Sequence, residues 1–427
     1  MSAIGELRHL MRGSGFRRLA AARLVSQAGD GMFQAGLASM LFFDPTRQST
    51  AGAIALGFLV LLGPFTIVGP FVGPLIDRWQ RQRIILWGNL VRLGLAVVLG
   101  VLMATGGPSW VLYAAALVTL SLNRFLLAAM TAAIPRVVAK EDLLTANSIL
   151  PTLGTLAAAL GGAVGVVVSF FAPGIADDQR AMAALVASGV VFGLSSWVTT
   201  AIKRRELGPV HPLDASHMRE DFADLVRGLR DGARYLAKRR TPGDALIVMA
   251  VQRLLYGMMF VAAILIARNL LAKPGDDGLG EFGVVLVFAG IGFAAAAIFT
   301  PVFGERVPRH RWIVLCLVVG AAGQALLAVS AERWALYGAA VVVSFAVQGG
   351  KIAVDTIVQR DTEDEVRGRA FSLYDMAYNV AFVSSAGIAA LVLPDTGYSR
   401  VAMASLVGVY LAAAALYSLA PRTPRPL

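Results

Sequence analysis

A single cysteine, Cys316, stands in 427 residues, and it lies within an apolar run. No intramolecular disulfide can therefore staple the fold. Histidine is nearly as scarce. His9, His211 and His217 fall outside the apolar runs and His310 at the very edge of one, so no Cys/His constellation offers a metal site. Charge is also short: 15% of residues are charged against 57% hydrophobic, and the mean hydropathy is +0.68. Soluble domains carry about 25% charged residues, which places this chain among polytopic membrane proteins. Gly349-Gly350-Lys351-Ile352 lacks the spacing and the hydroxyl residue of a phosphate-binding loop. Neither an ATP drive, a resident cofactor nor an enzyme active site is expected.

Long apolar runs fill the space that charge leaves. They fall at about 16–43, 51–76, 83–105, 109–135, 143–171 and 180–202, then at about 243–272, 280–303, 310–331, 333–358, 366–393 and 397–420. Twelve spans of ~20 residues match the supply of apolar positions. The expected fold is thus an all-α integral membrane protein of two six-helix bundles, 1–202 and 242–427, joined by a linker at 203–241. The net charge of +11 suggests nucleic acid at first sight, but the basic residues sit between spans. Alternate gaps hold Arg78, Arg81 and Arg83; Arg136 and Lys140; Arg306, Arg309 and Arg311; Arg360, Arg367 and Arg369. The opposite gaps hold mainly aspartate: Asp44, Asp177, Asp178, Asp276, Asp277 and Asp395. Positive charge stays inside, so both termini and the linker are assigned to the cytoplasm of a multi-pass cell-membrane protein. Arg8, Arg12, Arg17 and Arg18 precede a run too long for a secretory signal, which is read as retained.

The first run carries Arg23, Gln27, Asp30 and Gln34 at steps of four, three and four. At ~100° per residue these form one polar stripe on an apolar helix, and such a stripe must face water or another polar helix. The tenth run repeats the design with Ser344, Gln348, Lys351, Asp355 and Gln359, and the eleventh enters with Asp375, Tyr378 and Asn379. Gly69-x-x-x-Gly73 and Gly161-x-x-x-Gly165 read as close helix packing, with Pro64, Pro70 and Pro74 as bends. In the linker, Phe222, Leu225, Val226, Leu229, Ala233 and Leu236 share a helical face; Arg219, Arg227, Arg230, Arg234 and Lys238 take the others. That pattern fits an amphipathic helix on the inner leaflet, or a plain solvated connector.

An internal duplication is visible. Asp77-Arg78 with Arg81 and Arg83 returns as Glu305-Arg306 with Arg309 and Arg311. Gly31-Met32-Phe33 returns as Gly257-Met258-Met259, and Arg136, Glu141 and Ser148 return as Arg360, Glu365 and Ser372, at nearly one offset. Two homologous halves imply a transporter that binds at their interface and rocks around it.

The turn Gly73-Pro74-Leu75-Ile76-Asp77-Arg78-Trp79-Gln80-Arg81-Gln82-Arg83 resembles the signature loop of the major facilitator superfamily, departing at Gln80. Leu120-x-x-x-Arg124 is similar to the arginine motif of its proton-coupled exporters. Gly161-Gly162 is what remains of the antiporter signature, with Ala157-Ala158 in place of Gly-Pro. Arg367-Gly368-Arg369-Ala370-Phe371-Ser372 resembles a stretch found in drug- and siderophore-type exporters. The resemblance implies a conformational latch made by Gly73, Asp77, Arg78 and Arg81, repeated at Glu305 and Arg306. The competing reading is that these arginines only fix topology.

Asp30 and Arg124 both lie ~17–20 Å from the cytoplasmic helix ends at 1.5 Å per residue. Burial disfavours a carboxylate and a neighbouring arginine favours it, so Asp30 poised between them could take and lose a proton. The alternative is a permanent ion pair that only cements two helices. Asp375 is a second protonation candidate, and Lys351 with Asp355 is either an inner gate or a self-neutralising pair. Gln27, Phe33, Gln34, Arg253, Tyr256, Gln348, Lys351, Asp355, Tyr378 and Asn379 are the expected cavity residues. Arg253 could bind an anionic substrate group, balance Asp30 or act in a gate. Phe33, Tyr256, Phe260, Tyr378 and Phe382 could stack on a flat substrate or simply pack. Arg23 and Arg92 are expected to snorkel or to bind neighbouring helices. The functional expectation is a monomeric secondary transporter, with a small molecule, protons and the bilayer as partners and no nucleic acid. Proton-coupled efflux leads; import or lysolipid movement, and a non-transporting receptor or assembly role, are the alternatives.

Overall fold

The computed structural model describes residues 8–38, 79–105, 108–171, 177–208, 218–273, 278–304 and 306–421, with isolated positions between 52 and 76. All regular structure among the described residues is helical. We number the long helices α1 Ser14–Ala38, α2 Arg81–Ala104, α3 Ser109–Val137, α4 Leu143–Phe171, α5 Asp177–Thr200 and α6 Met218–Lys238. They continue as α7 Arg240–Ile266, α8 Leu279–Gly304, α9 Arg309–Val329, α10 Arg333–Asp361, α11 Asp364–Val392 and α12 Arg400–Leu419. Ten of these are long and apolar enough to cross a membrane: α2–α5 and α7–α12. The polar stripe dilutes α1 below that level, although its 25 residues are long enough to span. The expected count of twelve spans includes the run at 51–76, which lies almost wholly outside the described residues.

Two compact units divide the chain. One comprises Met1–Leu41 with Ile67–Ala223, the other Phe42–Thr66 with Asp224–Leu427. In the first unit α1 lies along α4 and α5, and α2 lies along α5. A Cβ built on Gly31 would stand 1.8 Å from the Ala158 carbonyl oxygen, and one on Gly161 would stand 1.9 Å from that of Ala28. Glycine is what lets the α1 and α4 backbones approach so closely. The Ala157–Gly162 stretch is thus a packing seam.

In the second unit α7 lies along α11, and α9 lies along α12 and α10. Gly257 of α7 again marks the closest approach: its Cβ would fall 2.0 Å from Ser385 Oγ of α11. The duplicated Gly-Met pair therefore performs one packing task in both units. The linker helix α6 forms as expected but faces differently. Gly232 and Leu236 are buried, whereas Val226 is 54% exposed and Ala233 is exposed. A Cβ on Gly232 would lie 3.1 Å from Arg369 Cβ and 3.2 Å from Leu373 Cδ1, so the glycine edge seats on α11. Arg239 pairs with Glu363 at 3.0 Å, and the Glu363 backbone N–H donates to the Tyr235 hydroxyl at 3.2 Å. From Asp224 onward this helix is part of the second unit rather than a free connector.

Candidate functional site

About two-thirds of the way along α1, Asp30 is only 4% exposed. Its Oδ1 is ion-paired with Arg92 Nη2 of α2, and Arg92 is itself 1% exposed. Sequence depth had nominated Arg124 as the partner; Arg92 makes the pair. The reason is lateral: α2 and α1 both lie along α5, which brings the long Arg92 side chain across to Asp30. Arg92 Nη1 also donates to Ser26 Oγ and Asn89 Oδ1, each at 3.3 Å. Asn89 Nδ2 donates to Ser195 Oγ at 3.2 Å, and Ser195 Oγ donates to the Ala22 carbonyl at 2.8 Å. The guanidinium carbon lies 3.7 Å from the Phe192 ring centre.

Burying two ions costs several kcal/mol each, so only close pairing and accompanying hydrogen bonds make the arrangement tolerable. Here the cation is well served and the anion is not. Asp30 Oδ2 is buried with no hydrogen-bond partner, as is Arg92 Nε. Sequence reading did single out Arg92 but not its supports Asn89, Phe192 and Ser195. The available signal was Asn89 and Arg92 three apart within an apolar run.

The rest of the first stripe separates into roles. Arg23 is buried, donating from Nε to Gln27 Oε1 at 3.1 Å and from Nη1 to Thr131 Oγ1 at 3.3 Å. It binds a neighbouring helix rather than snorkelling. Gln27 and Gln34 are half-buried. Phe33, expected in the cavity, is 1% exposed and lies 6.2 Å from Phe192 inside the bundle. Three residues past Asp30, it shares that inward face.

The second unit builds a different centre. Arg253 of α7 has its guanidinium carbon 3.8 Å from the Phe382 ring centre, 4.2 Å from Tyr378 and 5.4 Å from Tyr256. Tyr256 and Phe382 are stacked at 6.0 Å, and Phe260 lies 5.9 Å from Phe382. On α10, Lys351 pairs with Asp355 at 2.8 Å within its own helix, and its Nζ lies 5.8 Å from the Tyr378 ring centre. Tyr378 thus neighbours both cations. Gln348 is half-buried beside them in sequence, Asn379 donates to the Asp375 carbonyl at 2.8 Å, and the Asp375 residue is exposed. Gly349 and Gly350 lie inside α10, where Gly350 makes room for Gln252.

Of the latch candidates, Gly73, Asp77, Arg78 and Glu305 lie outside the described residues. Arg81 Nη1 donates to the carbonyls of Ala132 at 3.0 Å and Leu207 at 3.2 Å, tying α2 to the end of α3 and the 203–208 turn. Arg306 is exposed in the turn before α9.

Comparison with known proteins bears on this geometry. The sequence model of the Major Facilitator Superfamily matches residues 245–427. An MFS-type transporter of Mycobacterium tuberculosis is 31% identical over 419 residues, spanning 96% of this chain and 92% of its own length. The chain belongs to the Major Facilitator Superfamily. A further relative, BacE of Bacillus subtilis, bears the name of a bacilysin exporter; it is 22% identical over 321 residues, 75% of each chain. Among solved structures, the peptide transporter POT in complex with alafosfalin superposes with TM-score 0.67 at 13% identity, covering 94% of this chain and 92% of that one. The all-helical superfamily fold and the multi-pass membrane character follow. The first centre lies on the polar stripe of the first run, and the second brings Arg253 and Tyr256 of α7 against Tyr378 and Phe382 of α11.

Proposed function

We propose that this chain is a proton-coupled exporter of small organic or amphiphilic molecules, working by alternating access between its two halves in the cell membrane. Asp30 is the coupling carboxylate and Arg92, in place of Arg124, is its counter-ion. The observation that supports the reading is the half-satisfied state of Asp30: one oxygen on Arg92, the other buried without a partner among the described residues. A proton on Oδ2 cancels the pair's attraction and leaves Arg92 to Ser26, Asn89 and Phe192, which already hold it. Deprotonation restores the pair. Each proton therefore switches the strength of a cross-helix tie in the first bundle, a differential that can bias two conformations. The name of the Bacillus relative favours the outward direction.

The test uses the full chain in oriented vesicles with amphiphilic probes, ethidium and 1-naphthoate. Inside-out vesicles with an acid lumen should accumulate at least one probe, and Asp30→Asn should abolish the gradient-driven part. Accumulation only by right-side-out vesicles in acid medium reverses the direction. Gradient-driven transport unchanged in Asp30→Asn removes Asp30 from coupling. No movement of any probe in either orientation favours the receptor or assembly role.

A further inference from the structure

Among the described residues Arg253 is a cation without a counter-ion. Ion pairs of the second unit among the described residues include Arg227 with Asp224, Arg234 with Asp231, Arg239 with Glu363, Arg333 with Glu281, Lys351 with Asp355 and Arg360 with Asp361. None takes Arg253, whose Nε is buried without a hydrogen-bond partner. Its surroundings are aromatic: Phe382 and Tyr378 at 3.8 and 4.2 Å, and Tyr256 beyond. Ring faces attract a guanidinium but offer its N–H donors no acceptor in the plane. The residue remains half-buried rather than sealed, so its fork is within reach of a solute.

We propose that Arg253 and its aromatic frame recognise the carboxylate of a monoanionic substrate with a flat apolar body. This rests on the transporter reading above and adds its substrate class. The local charge favours a monoanion: Lys351 and Asp355 cancel each other at 2.8 Å, and among the described residues no ion pair neutralises Arg253. The planar fork matches a carboxylate through two parallel hydrogen bonds. The neighbouring rings, Phe260 at 6.1 Å from Tyr256 and Phe293 at 5.9 Å from it, extend an apolar wall for an unsaturated ring system. A quaternary or primary amine would meet an uncompensated cation instead.

The experiment measures binding to the purified full chain without any proton gradient, so it is independent of coupling. The probes are 1-naphthoate, its neutral isostere 1-naphthamide, and 1-naphthyl phosphate. Naphthoate should bind at least tenfold tighter than naphthamide, and the ratio should fall below about threefold in Arg253→Gln. Arg253→Lys, which keeps charge but not the fork, should lie between, and both variants are compared at equal melting temperature or by that ratio alone. Asp30→Asn should keep the full discrimination. Equal binding of naphthoate and naphthamide, tighter binding of the phosphate, no binding of any probe, or an undiminished ratio in Arg253→Gln overturns the assignment. Gradient-driven transport unchanged in Asp30→Asn, with discrimination intact, would instead strike only at the coupling role of Asp30.

Discussion

In the first bundle the central cation, Arg92, presses on Phe192 and holds the carboxylate of Asp30. In the second, Arg253 presses on Phe382 and Tyr378 and takes no carboxylate among the described residues. The two centres descend from one plan. Gly31 and Gly257 each follow the site residue directly, Asp30 and Tyr256, and each brings its helix against α4 or α11. The spacing that relates Asp77 to Glu305 also relates Arg92 to Gly320. Gly320 has no side chain to project; a Cβ there would stand 2.7 Å from the Tyr410 ring. One unit thus holds an internal ion pair, and at the position of matching offset in the other a tyrosine ring packs against a glycine. On the function proposed above, the first centre, closed on itself, takes the proton, and the second leaves its charge for a partner from outside.

If that division holds, breaking each centre should give different losses. Arg92→Leu should do the greatest harm to the fold, because it strands a buried carboxylate; about 3–5 kcal/mol is the scale for such a loss. The double variant Arg92→Leu/Asp30→Leu should recover most of the melting temperature while leaving coupled transport absent. Arg253→Leu should change thermal stability little by comparison, since no carboxylate is orphaned. Equal destabilisation by the two arginine variants would show that Arg253 has an internal counter-ion, and the contrast would collapse.

Gly31→Ala and Gly257→Ala sharpen the comparison at the next level. At Gly31 the obstacle is the Ala158 carbonyl, a backbone atom that cannot turn aside. At Gly257 the nearest obstacles are Ser385 Oγ and the Phe382 ring, which can rotate, with Ser385 Cβ behind them at 2.8 Å. Overpacking costs typically about 1–3 kcal/mol, and Gly31→Ala should fall at the upper end. Gly257→Ala should be milder in stability but should weaken naphthoate binding, because it displaces Phe382 from Arg253. Ser385→Ala added to Gly257→Ala should recover part of that binding.

Much of this was legible from residue pattern. The apolar runs located α2–α5 and α7–α12, and helical spacing brought forward Asp30, Arg253, Tyr256 and Tyr378. Depth along a helix follows from a fixed rise per residue, which is why Asp30 is assigned ~17–20 Å from the cytoplasmic helix end. Rotation and neighbours do not follow so simply. Arg124 has a depth similar to that of Asp30, yet Arg92 makes the contact because α2 and α1 share α5 as a neighbour. Phe33 was expected to face substrate, but its position three residues after Asp30 turns it toward Phe192. For α6, hydrophobicity pointed to Val226 and Ala233, whereas the glycines at 228 and 232 provide the contact edge against α11. Small residues announce a seam that a hydrophobicity pattern overlooks.

The smallest effect should come from the Lys351–Asp355 pair, and it tests whether the second centre is truly one charge out of balance. The two groups are one helical turn apart, 2.8 Å between Nζ and Oδ2, with side chains 29% and 36% exposed. Such an i,i+4 pair is worth only about 0.3–0.5 kcal/mol to a helix. The exchange Lys351→Asp/Asp355→Lys conserves net charge and should alter naphthoate binding less than about threefold, read by titration of the purified chain. Asp355→Asn alone leaves Lys351 as a second uncompensated cation near Tyr378, and should shift preference from the monoanion toward 1-naphthyl phosphate. Should Asp355→Asn leave that preference unmoved, the charge at Lys351 does not reach the Arg253 site, and the monoanion rule must come from Arg253 alone.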